Sequence, residues 1–324
     1  MTGCELNCIV TNEHSFRNSV CGGDVQLEGP RPGEPDFDAG PDRHRNPLHR
    51  MGREHMAEYK KILFKREGEI STITFNRPEA HNALDREMSD ELQDAVRRVK
   101  RDRECRFLIF RGAGDTFCAG DDIKDFLTWT DDDPYWQARQ YQETAQMIED
   151  LTPITIAAVD GVCTGGGLEL TLTCDFVVAT DRSRWGMPEI DWDITPGWGG
   201  VTRLGRFAGR RKTKEWNLIG QLFSADVAER HDMINRVCAP EDLNNEVDAL
   251  VKVMSAKNPV TVRRSKFVLN KGADLPLSGA MAFEVPIRPF ANKPGRFATD
   301  GMEAFAAKDT RDARRAVSKT FWQT

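Results

Sequence analysis

Alternating apolar and polar positions begin at Tyr59 and separate the chain into two regimes. ILFKREGEISTITFNRP, residues 62–78, holds two short alternating runs around a Glu-Gly turn and stops at Pro78, which predicts two strands. In LDREMSDELQDAVRRVK, residues 84–100, Leu84, Met88, Leu92, Ala95, Val96 and Val99 recur at helical spacing, with Asp85 placed as N-cap. RFLIFRG, residues 106–112, reads as a strand buried on both faces.

The loop AGDTFCAGDDIKDF, 113–126, leads to DDDPYWQARQYQETAQMIEDL, where Asp133-Pro134 supplies the N-cap and first-turn proline of a long helix. PITIAAVDG and CDFVVATD predict two more buried strands, with a glycine-broken apolar run, GVCTGGGLEL (161–170), between them. Beyond Arg203 the pattern turns mostly helical: RRKTKEWNLIG, SADVAERHDMINRV, DLNNEVDALVKVMSAK and PVTVRRSKFVLNKG, punctuated by Ser224 and Asn258-Pro259. Strands alternating with helices give an α/β core with helical crossovers and a helical C-terminal portion.

Residues 1–55 have no hydrophobic period. They are rich in Gly, Pro and both charge signs, without the apolar stretch of a secretory signal, and are expected to be a disordered leader or N-terminal extension, with Met51 or Met56 as alternative starts. The organisation predicted is a leader at 1–55, an α/β core at 56–255 and a helical portion at 256–324.

Composition removes several classes of function. The net charge of -6 lacks the basic excess of a nucleic-acid binder, and no apolar run reaches membrane-spanning length. The eight cysteines form no CxxC pair, so neither a zinc site nor a disulfide framework is indicated, and free thiols suit a reducing compartment. Four of the six histidines, His14, His44, His49 and His55, fall in the leader. His81 and His231 read as structural, and HExxH, GxSxG and Walker A motifs are absent from the sequence.

Backbone N–H groups and carboxylates remain. CAGDD (118–122) and TGGGLEL (164–170) are small-residue turns after apolar runs, and such turns let a backbone N–H approach a ligand. Facing one another, they could give two donors to one oxyanion. Glu169 sits just past one turn, within an apolar run. Glu189 follows twenty residues later in RWGMPEIDWDITPGWGG. Two carboxylates in an apolar site suit acid–base work without histidine. Taken singly, Glu169 is equally a first-turn glutamate favoured by the helix dipole, and Glu189 a cap or ion-pair partner. Trp185, Trp192 and Trp198 surround Glu189 in sequence and are read as core, the other reading being walls of a site for a bulky or aromatic group.

FNRPEAHNALD, DTFCAGDDI, AAVDGVCTGGGLELTLTCDFVVA, WGMPEI and PGWGGVTRLGR, in this order and spacing, resemble the crotonase superfamily, and most closely the enoyl-CoA hydratases, from about Tyr59 to about Lys308. The resemblance implies a crotonase-like α/β core of ββα units in a spiral, and an acyl-CoA thioester as substrate. It implies an oxyanion hole at the N–H groups of Asp121 and Gly166, catalytic roles for Glu169 and Glu189, and a CoA and thioester border formed by Ala119, Asp121, Asp122, Ile123, Lys124 and Gly166. It further implies no metal or redox cofactor, no nucleic-acid or membrane partner, a homotrimer or dimer of trimers, and a cytoplasmic place in fatty acid metabolism.

The implied reaction is reversible hydration of a trans-2-enoyl-CoA. A Δ3-Δ2 enoyl-CoA isomerase, a hydratase, hydrolase or lyase acting on an aromatic acyl-CoA, and an inactive CoA-ester- or RNA-binding scaffold (through GRRKTK, 209–214) are the alternatives. Two departures stand out. Asp121 occupies a position that is more often small or apolar in the family, and FATDGMEAFAAKDT looks shortened, which touches Phe305 and Lys308 as closers of a CoA pocket.

Overall fold

The computed structural model describes residues 59–287; the leader, the alternative starts Met51 and Met56, and Phe305 and Lys308 lie outside the described residues. Ile62–Glu67 (β1) and Ile70–Phe75 (β2) pair antiparallel, and Gly68 turns between them at φ +54°. Arg86–Arg101 (α1) begins at Asp85, whose side chain accepts from the Met88 N–H at 2.8 Å. Its buried face is Met88, Leu92, Ala95, Val96 and Val99, as the spacing predicts.

Phe107–Gly112 (β3) follows, then a single turn at Ile123–Phe126 (α2) and the long helix Asp133–Glu149 (α3). The cap of α3 is Asp132 rather than Asp133, and it makes no side-chain capping bond. Pro134 still lies in the first turn, where its missing N–H costs nothing.

Ile154–Val159 (β4) is buried at every position. Val162–Thr164 (β5), Gly166–Thr171 (α4), Phe176–Thr180 (β6) and Arg184–Gly186 (β7) come next. Then follow Gly200–Phe207 (α5), Gly209–Ile219 (α6), Phe223–Ser224 (β8), Ala225–Arg230 (α7) and Arg236–Cys238 (β9). Leu243–Ser255 (α8), Pro259–Gly272 (α9) and Leu277–Glu284 (α10) complete the described chain.

The large sheet runs β1-β2-β3-β4-β6-β9, parallel except for the β1–β2 hairpin, and a small sheet runs β5-β7-β8. The sequence pattern places 224–237 in a helical stretch; the structure ends that helix at Arg230 and turns Arg236–Cys238 into an edge strand beside β6. Asn235 docks the strand by exchanging two bonds with Val177, accepting from its N–H at 2.8 Å and donating to its carbonyl at 2.9 Å.

Both faces of the sheet are covered, which explains the near-continuous apolar strands. Leu108, Phe110, Ala157, Val159, Val177 and Ala179 face a core shared with α1, α3 and α4. Their neighbours Phe107, Ile109, Ile156, Ala158 and Val178 pack with Leu243, Val247, Leu250 and Val251 of α8.

Helix α9 is fastened to the core by one buried ion pair. Lys266 Nζ lies 2.6 Å from Asp175 Oδ2 and donates to the Pro153 carbonyl at 2.8 Å, with the two side chains 7% and 14% exposed. Removing one partner strands the other charge, so Lys266→Ala should lower stability by about 3–5 kcal/mol in urea unfolding. The pair Lys266→Met with Asp175→Asn should recover much of that loss. Equal destabilisation by the single and double variants would contradict this account.

Candidate active site

Two turns meet where β5 enters α4. The Thr164 N–H donates to the Cys118 carbonyl at 3.0 Å, and Thr164 Oγ1 donates to the Ala119 carbonyl at 2.9 Å. Gly120 stands at φ +103°, and a Cβ on it would lie 3.1 Å from the Thr164 carbonyl oxygen and 3.4 Å from the Gly166 nitrogen. The turns at 118–121 and 164–166 are therefore packed against each other, as the two-donor reading requires.

Each glycine of TGGG has its own reason. Gly165 adopts φ +50° and ψ -129°, a conformation open essentially to glycine. A Cβ on Gly167 would run into the Cys118 carbonyl, and one on Gly166 would touch Trp198 Nε1 at 3.1 Å, Asp121 Oδ1 at 3.2 Å and Leu84 Cδ1 at 3.3 Å. Among the described residues neither the Asp121 nor the Gly166 N–H has a protein acceptor. For Gly166 this follows from its place as first residue of α4, where an N–H has no partner within the helix.

Glu169 points from α4 into the same place and is 1% exposed. Its Oε1 accepts from the Gly200 N–H at 2.5 Å and the Trp198 N–H at 3.1 Å, while its Oε2 is sealed from solvent without a partner. Gly200 has no room for a side chain, since its Cβ would lie 2.5 Å from that Oε1. Glu189 sits in the 3-10 turn Pro188–Trp192 and is 7% exposed, with its Oε2 also buried and unpartnered. Its Oε1 approaches to 3.2 Å from where a Gly165 Cβ would stand, which places it against the glycine turn.

Three carboxyls share this space. Burial first, and then the nearby Asp121, push Glu189 up to about 7. Glu169 is held well above the usual carboxylate range by burial first, then by Glu189 and Asp121, against the pull of its two backbone donors. Asp121 is pushed up to about 7 by burial, with the Tyr141 hydroxyl and Trp198 indole N–H acting to lower it. Among the described residues no group of three or more His, Cys, Asp or Glu side chains is arranged as a metal site.

Of the residues the sequence singles out, Asp121, Gly166, Glu169 and Glu189 come together. Ala119 has both backbone groups engaged, its N–H by the His81 carbonyl and its carbonyl by Thr164. Asp122 caps α2, accepting from the Lys124 N–H at 3.1 Å, and pairs with Arg77 at 2.9 Å. Ile123 is half-buried and Lys124 exposed on that same turn. His81 ends a 3-10 turn and His231 stands edge-on to Trp216, structural places for both.

The tryptophans divide three ways. Trp185 is core, donating to Ser183 Oγ at 2.8 Å, whereas Trp192 is 57% exposed and belongs to no core. Trp198 is buried but turns its Nε1 toward Gly166 and Asp121, and it stacks on Tyr141 with ring centroids 4.8 Å apart. Tyr141 has no sequence signal beyond its helical spacing in α3. A cavity of 1380 Å³ opens along α9 beside Lys266, Arg203 and Leu172, and none of the four clustered residues lines it.

A family model described as Enoyl-CoA hydratase/isomerase matches residues 65–312. The chain is 34% identical over 257 residues to a crotonyl-CoA hydratase of Syntrophomonas wolfei, covering 77% of this chain and 96% of that one. It is 32% identical over 228 residues to a short-chain-enoyl-CoA hydratase of Clostridium acetobutylicum, covering 70% and 87%. Among solved structures, an enoyl-CoA hydratase from Bacillus anthracis superposes with a TM-score of 0.72 at 27% identity, over 77% of this chain and 97% of that one. A Thermobifida fusca structure in complex with acetoacetyl-CoA gives 0.65 at 26% identity, over 70% and 92%. The paired turns, the glutamates behind them and the crotonase fold that carries them have one common explanation: this chain belongs to the enoyl-CoA hydratase/isomerase family of the crotonase superfamily.

Proposed function

We propose that the protein catalyses reversible addition of water to a trans-2-enoyl-CoA, giving the 3-hydroxyacyl-CoA. The observation that carries this reading is the state of Glu169: one oxygen fixed by two backbone N–H groups, the other bare, beside Glu189 and two N–H groups without acceptors.

In this reading the thioester oxygen sits between the Asp121 and Gly166 N–H groups, which stabilise the enolate by about 3 kcal/mol each. Glu169 Oε2 orients a water and takes its proton as the oxygen attacks C3. Glu189 delivers a proton to C2. Neighbouring carboxyls resist ionising together, so the site carries a proton at neutral pH. The two N–H donors on Glu169 favour its ionised form, and we assign the proton to Glu189.

The test follows the ultraviolet absorbance of but-2-enoyl-CoA, whose conjugated thioester bleaches on hydration. Bleaching with stoichiometric 3-hydroxybutyryl-CoA supports the proposal. Free CoA thiol would point to thioester hydrolysis, and new absorbance from a 3-enoyl-CoA without hydration would point to an isomerase.

The acid role also sets a pH dependence. Glu189 must hold its proton, so kcat/KM should fall as pH rises through about 7. Negative Asp121 is one cause of the raised value, so Asp121→Asn should move that falling limb to lower pH. A pH–rate profile checks this, and a limb that stays put or moves upward would count against it.

A further inference from the structure

The acyl site holds a donor and an acceptor that hydration does not use. Among the described residues Trp198 Nε1 and Asp121 Oδ1 are both sealed from solvent and without a hydrogen-bond partner, and both are directed at one point beside Gly166, 3.1 and 3.2 Å from where its Cβ would stand. The Tyr141 hydroxyl and the Trp198 N–H lie close enough to favour the ionised Asp121 carboxyl, yet neither Trp198 Nε1 nor Asp121 Oδ1 reaches a partner in good hydrogen-bond geometry. The Tyr141 ring backs Trp198, its hydroxyl faces Asp121, and Leu84 closes the apolar side.

Burying a donor and an acceptor with neither one paired is unfavourable. Trp198 Nε1 can only donate, whereas a carboxylate oxygen can only accept. One ligand group answers both at a single atom: a hydroxyl, which accepts from the indole and donates to the carboxylate. Asp121 as a residue is half-buried, so part of its side chain lies nearer the surface than the sealed Oδ1.

We propose that Asp121 and Trp198 form a subsite for a hydroxyl on the acyl chain, so that the preferred substrate is a short enoyl thioester bearing an oxygen beyond the reacting carbons. This rests on the hydratase reading for the placement of the thioester at Gly166. The reaction occupies C2 and C3, so the first hydroxyl available to the subsite is on C4 or C5. Asp121 and Trp198 are specificity-determining here; neither side chain touches the bond that is made.

The experiment has two readouts on the full chain. Calorimetric binding of 4-hydroxybutyryl-CoA and 5-hydroxypentanoyl-CoA is compared with that of their methyl-capped isosteres, pentanoyl-CoA and hexanoyl-CoA. Hydration of 4-hydroxybut-2-enoyl-CoA is compared with that of pent-2-enoyl-CoA by absorbance. The wild type should favour at least one hydroxylated ligand by about tenfold or more, the scale of a satisfied buried polar pair. Trp198→Phe, which keeps the ring stack and removes the N–H, should erase the preference, as should Asp121→Ala. A wild type indifferent to the hydroxyl, or a preference that survives both variants, overturns the subsite. Preferential binding without any hydration would leave the subsite standing and end the hydratase reading. Hydration without preference would do the reverse.

Discussion

Glu169→Gln should lower kcat for but-2-enoyl-CoA hydration by about 10²–10⁴, the usual contribution of a positioned acid or base. The amide keeps the carboxylate's shape and can still accept the Gly200 and Trp198 N–H groups through one oxygen. It cannot take a proton from water. KM should change little, because Glu169 is assigned no contact with the CoA moiety. Glu189→Gln should fall by a similar factor, since the amide cannot supply a proton to C2. The double variant should be little worse than either single one, because the two act as a unit. Turnover remaining in all three would come from the Asp121 and Gly166 N–H groups, which no side-chain change removes. Steady-state absorbance kinetics decides the point. Full activity in Glu169→Gln would remove water activation from its duties and favour a one-carboxylate proton transfer, as in an isomerase.

The sequence makes the elements around this site legible where burial is continuous. β4 is apolar at nearly every position and is buried at all of them, and α1 shows its packed face at helical spacing. β5, β7 and β9 are three residues each, too short for a period to register, and β9 is held by Asn235 rather than by its own pattern. Glu169 and Glu189 can be picked out because a carboxylate inside an apolar run demands an explanation. The direction of Asp121 cannot, since its neighbour Asp122 turns to Arg77 and α2 while Asp121 turns inward. Trp198 is similar: its side chain resembles core in sequence, and the informative signal is the glycine pair after it. Gly199 stands at φ +91°, and Gly200 leaves space that Glu169 fills.

Stability offers a test of the site that needs no substrate. Glu189→Gln should make the protein more stable, with a gain that grows with pH. Burial raises Glu189 from an ordinary value of 4.5 to about 7 in the folded chain. Below about pH 4 both folded and unfolded chains hold the proton, and the carboxyl contributes nothing to pH dependence. Between the two values the unfolded chain ionises freely while the folded one resists, so wild-type stability declines as pH rises. Above about 7 the decline is complete, and at 1.36 kcal/mol per unit it amounts to about 3 kcal/mol. Gln has no such charge to bury. Melting curves of wild type and variant should therefore nearly coincide at pH 4 and separate by several degrees at pH 8. Lys266 provides the contrast, because there the buried charge has its partner and its removal destabilises. Among the described residues one Glu189 oxygen has no partner, which is the arrangement expected of a group kept for a bound reactant and not for the fold. Melts that stay parallel across the pH range would mean that Glu189 is solvated in solution, and the acid role assigned to it would fall with that result.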